Sequence, residues 1–378
     1  MKILIVRNAY YYDFGGGERF PVHLAKELAS LGHETVVVSA QPRLLQYAAE
    51  QGIRHRRGLW WSRQNWSGIR AILTPLYIGW QCILVIWYAS LLTRERPDVL
   101  HLQSKDDFIA GTIVARLFRC RIVWTDHADL KHVFKNHQVW YKNLTGKLVY
   151  ACSRWAHAVT LVSESEGRLI VEDLGHALPG NFTVIHNGVS EQQITPIERA
   201  PKDKDSVIFC STSRLVTAKG IGDLIVAFRR FNKDNNVRLW LVGDGPEMEH
   251  FTTVAEGDDR IVFLGHQENP LPILSAADVF LQPTHHEGFS LSIVEATMLG
   301  KPLIVTNVGG NPEIADETNS ILVPPHDDSS LFSAMDILDK DDALRRKLAK
   351  GSKKRFEAGF DFHTIVKERF VPLYEEAN

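Results

Sequence analysis

Short runs of β-branched and aliphatic residues recur along the chain, separated by stretches in which apolar positions return every three or four residues. The first run, Ile3-Leu4-Ile5-Val6, stops at Arg7. Four apolar residues are too few for a secretory leader and suit a buried strand. The same pattern predicts strands at 35–39, 99–102, 121–125, 158–162 and 182–185. It then starts again, at 206–210, 237–242, 261–264, 279–282 and 302–306. Strands apolar throughout, alternating with helical period, specify parallel sheets covered by helices on both faces. The fold class expected is therefore α/β, with two sheets of about five or six strands each, wound with helices on both faces. No period of 20–50 residues is present, which excludes a solenoid.

Residues 190–205 are polar, contain two prolines and show no sustained period, so they read as a linker. The division expected is an N-terminal domain over 1–189, the linker 190–205 and a C-terminal domain over 206–358. A final segment, 359–378, is amphipathic from 364 on, follows the second sheet and is in position to cross back onto the first domain. Residues 71–92 run 22 positions without a charge. As a helix they would be roughly 33 Å long, enough to cross a bilayer. Thr74, Pro75, Gly79 and Gln81 interrupt the run, and it lies between two strands of one sheet, where a crossover helix is required. It is expected as a crossover helix, either plainly buried or with one face at a membrane interface.

A length of 378 residues suits two domains, and 44% hydrophobic content excludes a disordered or fibrous chain. Lysine and arginine total 43 against 45 acidic residues, a balance that argues against nucleic acid as a partner. The distribution changes the picture: residues 1–188 carry 22 basic and 15 acidic side chains, while the remainder carries 21 and 30. Eight of the nine tryptophans also fall in the basic half. Within it, Arg54, Arg56, Arg57, Trp60, Trp61, Arg63, Trp66 and Arg70 interleave cation and indole, a composition suited to an anionic membrane surface or acceptor. The ordinary alternative is a solvated loop capping the crossover helix. Cysteines 82, 120, 152 and 210 lack the spacing of a zinc site or redox pair, so they are expected as reduced core residues of a cytoplasmic protein.

The sharpest chemical signal is Glu287-Gly288-Phe289-Ser290-Leu291-Ser292-Ile293-Val294-Glu295, directly after the strand at 279–282. A helix opened by Ser290 or Ser292 would turn free N–H groups toward the carboxyl end of that strand, where phosphate binds. Glu295 in its first turns suits ribose hydroxyls, and Glu287 on the loop suits hydroxyls beyond the phosphates. Arg214 and Lys219 leave the carboxyl end of the second domain's first strand, and two cations there would neutralise a diphosphate leaving group. Taken alone, each element has a bland reading as solvated surface. Metal readings are weaker: His285, His286 and Glu287 are consecutive, so their side chains diverge and cannot chelate together without other partners. Asp203-Lys204-Asp205 lies in the linker, and Gly15-Gly16-Gly17-Glu18 lacks the spacing of a dinucleotide loop.

Together with Val184-Ile185-His186-Asn187-Gly188-Val189 and Val242-Gly243-Asp244-Gly245-Pro246, these motifs make nearly the whole chain resemble glycosyltransferase family 4, the glycosyl transferases group 1, of GT-B fold. The resemblance implies two Rossmann-like domains facing across a cleft and a retaining hexosyl transfer from a nucleotide-sugar, with no cofactor and no metal. Carried onto this sequence, it implies that Arg214 and Lys219 hold the diphosphate and Glu295 the ribose. Glu287 with the backbone of Gly288, Phe289, Ser290 and Leu291 would hold the sugar and distal phosphate, and Gly243 is a further donor-binding position. Gly16 and Gly17 would close on the donor, and His127 would lie near the transferred sugar. The family often has Gly-Leu-Pro where this chain has Ser290-Leu291-Ser292, which bears on the identity of the sugar. The activity expected is transfer from a UDP- or GDP-sugar to a glycan or lipid-linked acceptor in envelope synthesis, at the cytoplasmic face of the membrane. The alternative is a non-catalytic nucleotide-sugar-binding subunit of a membrane transferase complex.

Overall fold

The computed structural model describes residues 1–8, 16–59, 74–127, 130–134, 144–191, 196–197, 205–232 and 236–375. The chain divides into two compact units, Met1–His186 together with His363–Asn378, and Asn187–Phe362.

Unit 1 is built on β1 (Lys2–Val6), β2 (Glu34–Ser39), β3 (His55–Arg57), β4 (Val99–Leu102), β5 (Arg121–Asp126), β6 (Ala158–Leu161) and β7 (Phe182–Val184). These form one parallel sheet in the order β3-β2-β1-β4-β5-β6-β7. Unit 2 repeats the plan with β8 (Val207–Thr212), β9 (Val237–Val242), β10 (Ile261–Gly265), β11 (Val279–Gln282), β12 (Leu303–Thr306) and β13 (Ser320–Val323), ordered β10-β9-β8-β11-β12-β13. Central strands such as Ile3–Val6, Val99–Leu102 and Val279–Gln282 are buried along their length, as apolar runs covered on both faces must be. In each sheet the winding reverses beside the first strand, between β1 and β4 and between β8 and β11. Ligands of doubly wound sheets bind outside the carboxyl ends of the strands at such a reversal.

Two strands were not expected from the pattern. β3 is a fully exposed His-Arg-Arg on one sheet edge, and β13 is a four-residue edge strand. Residues 74–92 of the uncharged stretch lie in the helix Thr74–Glu95 between β3 and β4, residues 71–73 being outside the described residues. Its stripe Tyr77, Leu84, Tyr88 and Leu92 enters the core of unit 1, and Tyr88 donates to the buried Asp107 carboxylate at 2.8 Å. Its opposite face exposes Leu76, Ile78, Ile83 and Ile86. Cys82 lies exposed there too, which corrects the expectation of four core cysteines; Cys120, Cys152 and Cys210 are buried, and all four are free.

Residues 187–189 join unit 2, because Val189 exchanges backbone hydrogen bonds with Phe360 and Phe362, each 3.1 Å. The last segment belongs to unit 1: Tyr374 Oη lies 2.8 Å from His101 Nδ1, and Arg121 Nη1 donates to the Leu373 carbonyl at 2.9 Å.

Candidate functional site

In unit 2 the loops leaving β8 and β11, the strands flanking the reversal, meet. Lys219 Nζ stands 2.6 Å from Glu287 Oε2. The same carboxylate oxygen accepts from Gln282 Nε2 at 3.0 Å. Gln282 Oε1 in turn accepts from Ser290 Oγ at 2.6 Å, and Ser290 Oγ caps the helix Leu291–Met298 by accepting from the Ile293 N–H at 3.3 Å. One chain of polar contacts thus ties the lysine, the loop carboxylate and a helix N-terminus, the combination of fixed cation and free N–H groups that holds phosphate. Glu295 is half-buried in the second turn of that helix. Arg214 is exposed on the loop after β8.

Close backbone approach makes this arrangement possible. Lys219 ends a short 3-10 turn, and Gly220 follows in the left-handed region at φ 68°. A β-carbon there would stand 1.9 Å from the Pro283 carbonyl oxygen, so only glycine lets the two loops touch. At Gly309 (φ 52°) a β-carbon would stand 1.7 Å from the Glu287 carbonyl oxygen. Gly243 is bonded to the carbonyl of Gly265 at 2.9 Å, beside the Ser213 backbone. Phe289 and Ser290 are buried, and Gly288 and Leu291 half-buried.

In unit 1, His127 follows β5 with its ring edge on Phe20 (centroids 4.9 Å apart). Its Nε2 is shut off from solvent and has no hydrogen-bond partner among the described residues. Burial first, then the Arg7 and His101 neighbours, holds its pKa well below the usual histidine value, so the ring is neutral. Beside it Asp126 accepts from the Leu130 N–H at 3.0 Å, and burial together with Asp126 pushes the Glu166 carboxyl upward into its protonated form. Gly16 and Gly17 open the helix Gly16–Ser30, Gly17 lying against Arg7, whose guanidinium pairs with Glu18 at 3.0 Å. Residues 9–15, with Gly15, are outside the described residues.

The structure therefore brings Lys219 and Glu287 into contact, with Ser290 one residue away through Gln282. Arg54 and Arg56 of the basic-aromatic stretch are engaged within unit 1. Arg54 pairs with Glu34 at 2.7 Å and Glu95 at 3.0 Å, and Arg56 with Glu95 at 2.8 Å. Glu95 is 2% exposed, so these guanidiniums neutralise a buried carboxylate instead of standing free for an anionic surface. Arg57 is exposed on β3, and Trp60, Trp61, Arg63 and Trp66 lie outside the described residues. Sequence reasoning missed Gln282, although a lone amide closing the apolar run Val279–Gln282 is a visible irregularity. It also missed Ser211, Thr212 and Ser213, whose hydroxyls are buried at the carboxyl end of β8 without a partner among the described residues. Three hydroxyls in succession there were the available signal.

Residues 14–193 match the family described as Glycosyltransferase Family 4, and residues 193–355 match Glycosyl transferases group 1. A glycogen synthase of Mycobacterium tuberculosis is 26% identical over 391 aligned positions, covering 97% of this chain and 92% of its own. The lipopolysaccharide core biosynthesis glycosyltransferase LpsE of Rhizobium meliloti is 27% identical, covering 96% of each chain. Among solved structures, Anabaena HepE in complex with UDP superposes with a TM-score of 0.77 at 19% identity over 100% of both chains. WaaG, a glycosyltransferase involved in lipopolysaccharide biosynthesis, superposes at 0.67 and 15% identity over 99% of this chain and 100% of its own. The fold is thus GT-B with two Rossmann-like units, and with family matches running from residue 14 to residue 355, the chain belongs to the group 1, or family 4, glycosyltransferases and transfers sugar.

Proposed function

We propose that this glycosyltransferase moves a sugar from a UDP- or GDP-sugar to a membrane-associated acceptor, with retention at the anomeric carbon and no divalent metal in the transfer step. The observation that carries the reading is the Lys219–Glu287 pair at the reversal between β8 and β11. A cation stands there for the leaving diphosphate, with a carboxylate beside it for sugar hydroxyls. Arg214 supplies the second charge and Glu295 the ribose contact. Glu287 and the backbone of residues 288–291 hold the sugar and distal phosphate. Gly16, Gly17 and His127 of unit 1 complete the residues proposed to serve the donor. The anomeric C–O bond to phosphate breaks, the acceptor oxygen bonds to the same face, and its proton passes to the departing phosphate oxygen. The protein contributes positioning and charge stabilisation. HepE, of like fold, holds UDP, which makes UDP-sugars the first donors to try.

A membrane-associated acceptor is supported by the apolar surface of unit 1. Ile86 (72% exposed) and Ile83 lie on the helix Thr74–Glu95, Leu117 (75%) on Phe108–Leu117, and Leu144 and Leu148 on Leu144–Ser153. The helix Phe108–Leu117 packs against both of the others, and residues 1–188 carry the basic excess. LpsE supports an envelope glycan as the product and, with that, action at the cytoplasmic membrane face.

The test is purified protein with UDP- and GDP-sugars in EDTA, the product's anomeric configuration being read by NMR. Turnover in EDTA with retained configuration is expected. An inverted product, or activity only with added metal, overturns the mechanism. Donor binding without hydrolysis or transfer would identify a non-catalytic subunit.

A further inference from the structure

We infer that Asp223, His285 and His326 form a binding site for a divalent transition-metal ion of zinc type. The three come from separate segments of unit 2: the first turn of the helix Ile221–Phe228, the loop after β11, and the turn after β13. Each offers one donor atom, and the three donor atoms lie within 4.8 Å of one another. His285 Nε2 is 2.8 Å from Asp223 Oδ2, and the rings of His285 and His326 are in contact at 3.7 Å between centroids.

Two imidazoles and one carboxylate are a donor set for zinc, nickel or copper rather than for magnesium or calcium, which take oxygen ligands. Zinc binds such nitrogens and oxygens at roughly 2.0–2.2 Å, which puts ligand atoms of a tetrahedral site about 3.3 Å apart. The present spacing needs only a small closure, and His326 is exposed and able to make it. The 2.8 Å contact of Asp223 with His285 does not need His326. His326, in the turn after β13, nevertheless sets its ring against that of His285. His285 therefore finds its fellow ligands far away in the sequence, which the divergent neighbours His286 and Glu287 do not provide.

A bound ion would fasten together the segments that carry the donor contacts. His285 lies two residues before Glu287, and its N–H is bonded at 2.9 Å to the carbonyl of Ala218, next to Lys219. Asp223 lies four residues after Lys219 on the same segment. The ion is a clamp on these loops, separate from the chemistry of transfer.

The experiment is calorimetric titration of untagged full-length protein with zinc chloride and nickel chloride. One equivalent should bind with micromolar affinity. His326→Ala, at an exposed position, and His285→Gln should each weaken it at least ~10-fold, while His250→Ala, distant in sequence and exposed, should not. No saturable binding by the wild type, or a His326→Ala variant that binds as the wild type does, overturns the site. Because the readout is metal binding without donor, its failure leaves the transferase reading untouched; loss of turnover in EDTA counts against that reading only where His326→Ala, which lacks the ion site, keeps wild-type turnover without EDTA and loses it on adding EDTA.

Discussion

Replacing Lys219 by Met keeps most of the aliphatic stem and removes the charge. Two consequences of different size follow. In the free protein, Lys219 Nζ is 2.6 Å from Glu287 Oε2, with the two side chains 26% and 15% exposed. Glu287 keeps its hydrogen bond from Gln282 after the substitution, so no carboxylate is stranded. The loss of a partly exposed pair costs about 1 kcal/mol, or roughly 2–4 °C in the melting of a unit of this size. In the reaction the same ammonium faces the charge that grows on the leaving diphosphate. Losing one preorganised group of that kind lowers kcat by ~10²–10³, about 2.7–4 kcal/mol. Turnover should therefore fall a hundredfold or more while the melting temperature moves by a few degrees. Glu287→Gln added to Lys219→Met should cost less than it does alone, since the pair is already broken. The assay is steady-state transfer with UDP-sugar, read beside thermal melting. A Lys219→Met enzyme within about threefold of wild-type turnover would refute the assignment.

Further outcomes follow from the same geometry. Glu295→Gln should weaken nucleoside diphosphate and nucleotide-sugar alike, whereas Glu287→Gln should weaken only the sugar-bearing ligand; calorimetry with both ligands decides, and equal losses in both variants would contradict the division. Gly220→Ala sets a β-carbon 1.9 Å from the Pro283 carbonyl in left-handed backbone, so it should destabilise unit 2 by more than about 1 kcal/mol and weaken donor binding, as seen in denaturant melts and titration. Burial pushes the Asp107 carboxyl up to about 7, so between pH 4 and 7 the unfolded chain has released a proton that the folded chain keeps. Wild type should therefore lose stability relative to Asp107→Asn by about 1.4 kcal/mol per pH unit as pH rises over that range, and a pH-independent difference in urea melts would rule the shift out. Liposome co-sedimentation should rise with anionic lipid and drop in Ile83→Ser/Ile86→Ser; wild type that stays in the supernatant at low salt would argue for a soluble acceptor.

Local pattern alone determined the two parallel sheets, because a strand buried on both faces must be apolar at every position, and each such run, from Ile3–Val6 to Val279–Gln282, stands out against helical period. A serine cap at Ser290 or Ser292 and Glu287 as loop carboxylate were legible for a similar reason, since both depend on residues within a few positions of each other, and the structure chooses Ser290. The edge strands β3 and β13 were not legible: a three-residue exposed His-Arg-Arg has no apolar run to mark it, and only pairing with Val37–Ser39 makes it a strand. The basic stretch shows the limit most clearly. Arg54 and Arg56 read as free cations until the fold sets Glu34 and Glu95 against them, 20 and 41 residues distant in the chain for Arg54. Likewise His285 gains Asp223 and His326 only through the sheet order, and Tyr374 reaches His101 across 273 residues. Periodicity records which face of an element is buried, whereas partners are chosen by which segments the sheet brings together, and that choice is made by tertiary structure.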